Sequence, residues 1–239
     1  METKLNELAE RLQAAAGINL KAVVLYGSAV TEEFRARHSD LNILCVLEKA
    51  GVTEVEKLHS TAEWWAGEGN PAPQIFTMPE LQRSADIFAI ELLDMKHRHR
   101  MLYGADFFDS FDVPLRLHRL QVERELRTNW VRLRQAILAA PPKKPKAHLG
   151  IMLASVSWFS ALFRHALFAL GQDMPANKRA AVDGAASLTG ADPSGFHAIL
   201  DLREGKRKES EIDIEAVLQT YTEFVGVVTE EVDRRLEVQ

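Results

Sequence analysis

Two stretches decide the predicted fold: LKAVVLYGS at residues 20–28 and DLNILCVLE at residues 40–48. Each is a short apolar run rich in β-branched residues, which is typical of a strand buried on both faces. The first run ends at Gly27, and a polar segment, TEEFRARHS, separates it from the second. Two buried strands joined by a polar connection predict an α/β domain at the start of the chain.

The segments around these strands extend the same domain. Residues 2–15 predict a helix, because leucines recur at three- and four-residue spacing. Residues 51–68 predict a second helix, and the run IFTM at 75–78 predicts a short strand confined by prolines. The apolar run ADIFAIELLDM at 85–95 predicts the longest strand of the domain.

The sequence pattern changes after Pro114, since no later segment has the composition typical of a strand. Apolar residues at helical spacing follow, then the apolar segment 147–171 and a final predicted helix over about 211–237. The predicted fold class is therefore an α/β (α+β) domain with a mixed sheet at residues 1–112, followed by an all-α helical bundle at residues 113–239.

Composition narrows the class of function. The 239 residues carry a net charge of −5, which argues against bulk-charge binding to nucleic acid or membranes. The single cysteine, Cys45, excludes an internal disulfide and lies in an apolar run that favours a buried, inert thiol. Arg164 and His165 interrupt the apolar segment, which predicts a central bundle helix and not a membrane span. The polar, amphipathic N-terminus predicts a cytoplasmic protein.

The residues that carry chemistry lie at the ends of the first two strands. Gly27 lets the backbone approach a phosphate closely, and Ser28 adds a hydroxyl and an N–H to the same turn. Asp40 and Asn42 are two apart, so both side chains lie on one strand face, while Leu41 and Ile43 turn to the core. Oxygen ligands of this kind predict a Mg²⁺ or Mn²⁺ site beside a nucleoside triphosphate.

A third carboxylate is expected on the third long strand. Glu91 stands between apolar neighbours, where an inward carboxylate needs a functional reason. Asp94 is the alternative, and on a strand it would face the opposite side from Glu91.

These motifs resemble the nucleotidyltransferase superfamily of DNA polymerase beta and the kanamycin and streptomycin nucleotidyltransferases. The resemblance covers about residues 20–105, through LYGSAVTEEFRARHSDLNILCVL and FAIELLDMKHRHRMLYG. It implies transfer of a nucleoside monophosphate from an NTP to a hydroxyl acceptor. In this scheme Gly27, Ser28 and Ser39 contact the nucleotide, while Asp40 is the main metal ligand and Glu91 the base. Enzymes of this kind often build their sites across a homodimer.

One residue departs from the family's Asp-x-Asp motif, since its second position is Asn42. A neutral amide supplies one carbonyl oxygen where a carboxylate supplies a negative charge, so the metal site is weakened. Two hypotheses stay open: an active Mg²⁺-dependent enzyme, and a degenerate nucleotide-binding or antitoxin-like regulatory module. Ser39 and Asp40 also suit a simple turn before the strand.

Three other features have structural interpretations. KHRHR at 96–100 predicts a solvated helix start. The arginines of the first C-terminal helix, among them Arg127 and Arg132, predict a mostly salt-bridged face. Trp158 and Phe159 are predicted to lie in the core.

Overall fold

The computed structural model describes residues 1–30 and 41–237. Contacts divide the chain into two compact units, residues 1–115 and 116–239. The strands are β1 (Leu20–Tyr26), β2 (Asn42–Leu47), β3 (Gln74–Thr77) and β4 (His99–Tyr103). The helices of the first unit are α1 (Glu2–Ala16), α2 (Val52–Glu56), α3 (His59–Gly67), α4 (Met78–Arg83) and α5 (Ala89–His97). Those of the second unit are α6 (His118–Ala139), α7 (Pro145–Ala169), α8 (Lys178–Thr189), α9 (Ser194–Arg203) and α10 (Ile214–Glu237).

The first unit is built on a four-stranded mixed sheet with the order β3-β2-β1-β4. Strand β1 is antiparallel to both β2 and β4, whereas β2 and β3 are parallel. Both predicted apolar runs form the central strands, and the predicted α/β unit followed by helices is confirmed. The sheet order places the start of β2, β3 and β4 at the same edge as the end of β1.

Apolar side chains cover the sheet on both faces. On one face, the α1 leucines Leu5, Leu8 and Leu12 pack in one buried cluster with alternate residues of β1 and β2. The central Cys45 belongs to this cluster, and burial raises the pKa of its thiol to about 12. On the other face, Phe76 of β3 meets Phe88 edge-on at 6.3 Å between ring centroids. A sheet buried on both sides leaves only its edges for polar chemistry.

The predicted strand at 85–95 is wrong, because this run forms α5 and the last strand lies at 99–103. The buried residues of α5 are Ala89, Leu92, Leu93 and Met95, and the first three recur at the helical spacing of three and four. A short apolar run fits a buried helix as well as a buried strand. Here apolar residues also lie on the exposed side of the run, so the helical spacing of the buried residues was not recognisable from the sequence.

The second unit is a helical bundle around α7, as predicted. Helix α7 contacts α6, α8, α9 and α10. Its Phe159 and Phe163 meet Phe196 of α9 and Tyr221 of α10, and the last two rings stack at 4.1 Å. These aromatic contacts tie three helices into one core.

Among the described residues, α7 is the one helix long and apolar enough to cross a membrane, with a mean hydropathy of 1.4. Its packing accounts for that apolar character, since 56% of the window is buried inside the protein. Arg164 and His165, which interrupt the apolar run, are themselves buried in the bundle.

One core prediction in α7 is wrong. Phe159 is 1% exposed, as expected, but the neighbouring Trp158 is 67% exposed. Consecutive helical residues point about 100° apart, so an apolar dipeptide at the edge of a buried face divides between core and surface.

Two helical glycines give a matched stability test. A methyl group at Gly150 in α7 meets nothing within 4 Å, whereas one at Gly195 in α9 lies 2.6 Å from the Tyr221 backbone nitrogen. We expect Gly150→Ala to raise the free energy of unfolding by about 0.5–1 kcal/mol, because alanine costs less backbone entropy in a helix. Gly195→Ala should lower it by roughly 1–3 kcal/mol through overpacking. Urea denaturation measures both, and a change of the same sign in the two variants contradicts the packing described.

Candidate functional site at one edge of the sheet

The end of β1 is flanked by the starts of two neighbouring strands. Tyr26, its last residue, is paired in register with Asn42 of β2 and with His99 of β4. Residues directly opposite in antiparallel strands present their side chains on the same face. Tyr26, Asn42 and His99 therefore lie side by side at this edge.

The parallel strand β3 adds a fourth polar residue. Its first residue, Gln74, is exposed and pairs with Leu44 of β2. Leu44 lies two residues beyond Asn42, so Gln74 and Asn42 project from the same face of the sheet. The sequence analysis missed Tyr26, Gln74 and His99. The available signal was a polar residue at the boundary of each apolar strand, and it becomes informative only when the strand order is known.

The glycine turn after β1 meets β2 closely. Gly27 has a φ of 80° and begins a short 3-10 turn, Gly27–Val30. A Cβ atom on Gly27 would lie 3.2 Å from the Asn42 side-chain nitrogen. The left-handed backbone and the close approach both favour glycine here. The structure therefore brings together two parts of the predicted site, Gly27 and Asn42.

The remaining residues of the predicted nucleotide site are placed only in part. Ser28 lies within the 3-10 turn, and the role predicted for its hydroxyl stays a prediction. Ser39 and Asp40 lie outside the described residues. Leu41 and Ile43 are buried in the core, as the alternation along β2 predicted.

Glu91 takes a different position from the one predicted. It lies in the first turn of helix α5 and is exposed, instead of pointing inward from a strand. An acidic residue in a first turn is stabilised by the helix macrodipole. Glu91 nevertheless influences the sheet edge through its charge. The pKa of Tyr26 is raised to about 12, first by burial and second by the Glu91 carboxylate.

The relation of Glu91 to Asp94 also changes. On a strand the two residues would face opposite sides, but in α5 they are three residues apart and lie on the same side of a helix. The choice between them as the third acid therefore becomes a choice between neighbours along one helix. The Glu91 carboxylate acts on the pKa of Tyr26, and the choice between Glu91 and Asp94 as the third acid stays a prediction.

The basic tract 96–100 was predicted to be a solvated helix start, and this is wrong. It ends α5 and begins β4, and its side chains hold elements together. Lys96 donates to the backbone oxygen of Phe111 at 2.6 Å, and Arg100 pairs with Glu2 of α1 at 2.9 Å. Lys96 and Arg100 are thus each directed by an acceptor that lies far away in the sequence, which the local pattern does not show.

His99 is the most constrained residue at the edge. Its Nδ1 lies 2.8 Å from the backbone oxygen of Met95, and its Nε2 lies 2.8 Å from Asp106 Oδ2. The hydrogen bond between His99 and Asp106 is the main cause that lowers the pKa of Asp106 below its usual value. The imidazole also packs on Phe108 at 4.5 Å between ring centroids. His99 is thus a fixed polar group beside Tyr26, held by both ring nitrogens.

The donor chemistry fits a hard cation only weakly. Asn42 offers an amide oxygen and Glu91 a carboxylate, which are ligand types that Mg²⁺ accepts. Among the described residues, no group of three histidine, cysteine, aspartate or glutamate side chains could hold a metal ion. Asn42 and Gln74 at this edge are neutral amides and add no negative charge for a metal ion.

The sheet order and the helical unit after it define the class of fold, which is that of the nucleotidyltransferases, as the sequence resemblance implied. A solved structure with this fold is the spectinomycin adenyltransferase AAD(9) from Enterococcus faecialis, with ATP and spectinomycin. It is similar to this chain with a TM-score of 0.53 and 13% identity, over 94% of this chain and 99% of that chain. No protein-family profile matches the sequence, and no curated protein is significantly similar to it.

Two further solved structures cover about half of the chain. The toxin–antitoxin MntA-HpeT mutant D39ED41E is similar with a TM-score of 0.31 and 13% identity, over 56% of this chain and 98% of that chain. The complex of the tri-AMPylated Shewanella oneidensis HEPN toxin with the MNT antitoxin gives a TM-score of 0.30 and 14% identity, over 58% of this chain and 100% of that chain. The fold assignment rests on the adenyltransferase.

The position of Glu91 can be tested through Tyr26. Glu91→Gln removes the negative charge and keeps the shape, so we expect the pKa of Tyr26 to fall while staying above about 10, because burial persists. Titration of ¹³Cζ-labelled tyrosine by NMR measures this value. Glu63→Gln, on the exposed side of α3, is the matched control. An equal effect of the two variants contradicts the placement of Glu91 at this edge.

Proposed function

We propose that the protein is a Mg²⁺-dependent nucleotidyltransferase that transfers a nucleoside monophosphate from an NTP to a hydroxyl acceptor. The observation that carries this proposal is the contact of the Gly27 turn with Asn42 at the end of the central strand. A turn of this kind offers backbone N–H groups to a phosphate. The shared fold with AAD(9), whose structure contains ATP, supports the same class of ligand.

The proposed reaction is a substitution at the α-phosphorus. The acceptor oxygen forms a bond to the α-phosphorus, the bond to the β-phosphate bridging oxygen breaks, and pyrophosphate leaves. Glu91 takes the proton of the acceptor hydroxyl, while the Gly27–Ser28 turn and Ser39 position the triphosphate. Bound Mg²⁺ or Mn²⁺, held by Asp40, Asn42 and Glu91, would neutralise phosphate charge. The acceptor is a small molecule or a protein side chain that carries a hydroxyl.

A second candidate function has its own support. The two strand starts nearest the turn, Asn42 and Gln74, are neutral amides. Amides form good hydrogen bonds to a nucleotide, but they add no negative charge to a set of metal ligands. This pattern suits a protein that binds a nucleotide without transferring it, as a regulatory module would.

Binding and transfer are tested separately. For the enzyme, we expect calorimetry to show ATP binding that requires Mg²⁺ or Mn²⁺, and Asp40→Ala to weaken it by about tenfold or more because a charged ligand is lost. Asp109→Ala removes an exposed acid outside the edge and serves as the control. If the unmodified protein shows no metal-dependent ATP binding, the proposed enzymatic function is wrong. ATP binding that is equal with chelator and with Mg²⁺, and no release of pyrophosphate, supports the binding module.

The variant Asn42→Asp tests directly whether the negative charge that is absent at position 42 affects metal binding. If the site holds a metal ion, restoring a carboxylate should tighten Mg²⁺–ATP binding by roughly tenfold. Asn6→Asp adds the same charge on the exposed side of α1 and controls for net charge. Isothermal titration measures both variants, and an unchanged affinity in Asn42→Asp contradicts a metal-binding role for position 42.

A further inference from the structure

A cavity of about 460 Å³ lies between α6 and α7 in the helical unit. Its size is within the range of about 300–1,000 Å³ that is typical of small-molecule sites. All the lining residues belong to these two helices. We call this cavity the α6–α7 groove, and none of its lining residues is among those predicted for the nucleotide site.

The floor of the groove is apolar and open. Leu133 and Phe159 are buried beneath it, and Gly150 and Ala154 of α7 leave space where larger side chains would close it. A methyl group on Gly150 would meet nothing within 4 Å. Densely packed interiors rarely leave such space between neighbouring helices. The groove therefore admits an apolar body close to the helix backbone.

Trp158 forms an aromatic wall of the groove. Its side chain is 67% exposed, although tryptophan buries a large apolar area when it can. No other described ring stacks on it, in contrast to Phe159, which contacts three rings of the core. An exposed indole beside an apolar cavity offers a flat face to a ligand.

Polar groups of α6 face the same groove. Arg132 is exposed and has no ion pair or hydrogen bond among the described residues. Other arginines of this helix are engaged: Arg127 pairs with Asp233, and Arg134 lies 4.2 Å above the Trp130 ring. The Asn129 side chain donates from Nδ2 to the backbone oxygen of Glu125 at 2.8 Å, and its amide oxygen has no partner in the described chain. The groove thus presents one available cation and one available acceptor.

We propose that the α6–α7 groove binds a small aromatic monoanion, specifically an aromatic carboxylate. The carboxylate pairs with the guanidinium of Arg132, whose fork of N–H donors matches its two oxygens. The ring lies against Trp158 and above Gly150. Arg132 is the one charged side chain among the described lining residues, so it matches one negative charge, and this distinguishes the ligand from a triphosphate, which needs several cations.

The probe for this site is 2-naphthoate, with the neutral 2-naphthamide as its matched control. We expect ¹H–¹⁵N NMR of the whole protein to show saturable shifts of the Trp158 indole, assigned with Trp158→Phe, and of the Gly150 amide. Arg132→Gln should weaken binding by about tenfold, and 2-naphthamide should bind the unmodified protein about tenfold more weakly than 2-naphthoate. Arg124→Gln, an exposed arginine of α6 outside the groove, should bind like the unmodified protein. Both arginines are exposed, so circular dichroism should confirm that the variants fold.

Three results would overturn the proposal. The first is that 2-naphthoate leaves the Trp158 indole unshifted. The second is that the Arg132 and Arg124 variants bind equally, or that the amide binds as tightly as the acid. The third is that the Trp158 resonance depends on protein concentration and light scattering shows a dimer, because the groove would then be covered by a second copy of the chain. Ala154→Leu provides an independent check, since filling the groove should abolish the shifts without unfolding the protein.

Discussion

The pairing of β1 with strands on both sides is the constraint on which the first unit depends. Because β1 is antiparallel to β2 and to β4, its last residue, Tyr26, meets the first residues of both neighbours. The parallel pairing of β2 with β3 brings Gln74 to the same edge. Three distant segments of the chain therefore deliver polar side chains to one place, while the strand interiors remain apolar. A one-residue change of register would turn these side chains to the opposite face.

The chemistry of that edge follows from its charges. Burial disfavours the ionised form of Tyr26, and the Glu91 carboxylate acts in the same direction, so the phenol stays neutral over the physiological range. Asn42 and Gln74 are neutral as well. His99 is held between a backbone carbonyl and the Asp106 carboxylate. The described edge therefore combines neutral hydrogen-bonding groups at the strand ends with the carboxylates of Glu91 and Asp106.

The sequence was sufficient for those features that have a local signal. Two continuous apolar runs predicted the central strands, and Leu5, Leu8 and Leu12 predicted α1 through their spacing. Gly27 and Asn42 were predicted to belong to one nucleotide site; they lie close together, and their role there stays a prediction. The wrong predictions concern segments whose structure is determined by contacts with residues far away in the sequence. The apolar composition of the run 85–95 fits both a helix and a strand. The tract 96–100 ends α5 and begins β4, which forms by pairing with β1. Gln74 had no functional signal without the strand order.

A shared fold does not settle activity, because the fold and the charge of the edge have separate causes. The strand interiors are apolar and buried, so the fold does not depend on the charge of a single residue at the strand ends such as Asn42. The charge of the edge, by contrast, is set by single residues. An amide at position 42 keeps nearly the volume of a carboxylate, but it replaces one acceptor oxygen with an NH₂ donor and lacks the negative charge. Nucleotide recognition needs shape and hydrogen-bond donors, whereas metal-assisted transfer needs concentrated negative charge, so a change at position 42 can affect the two separately.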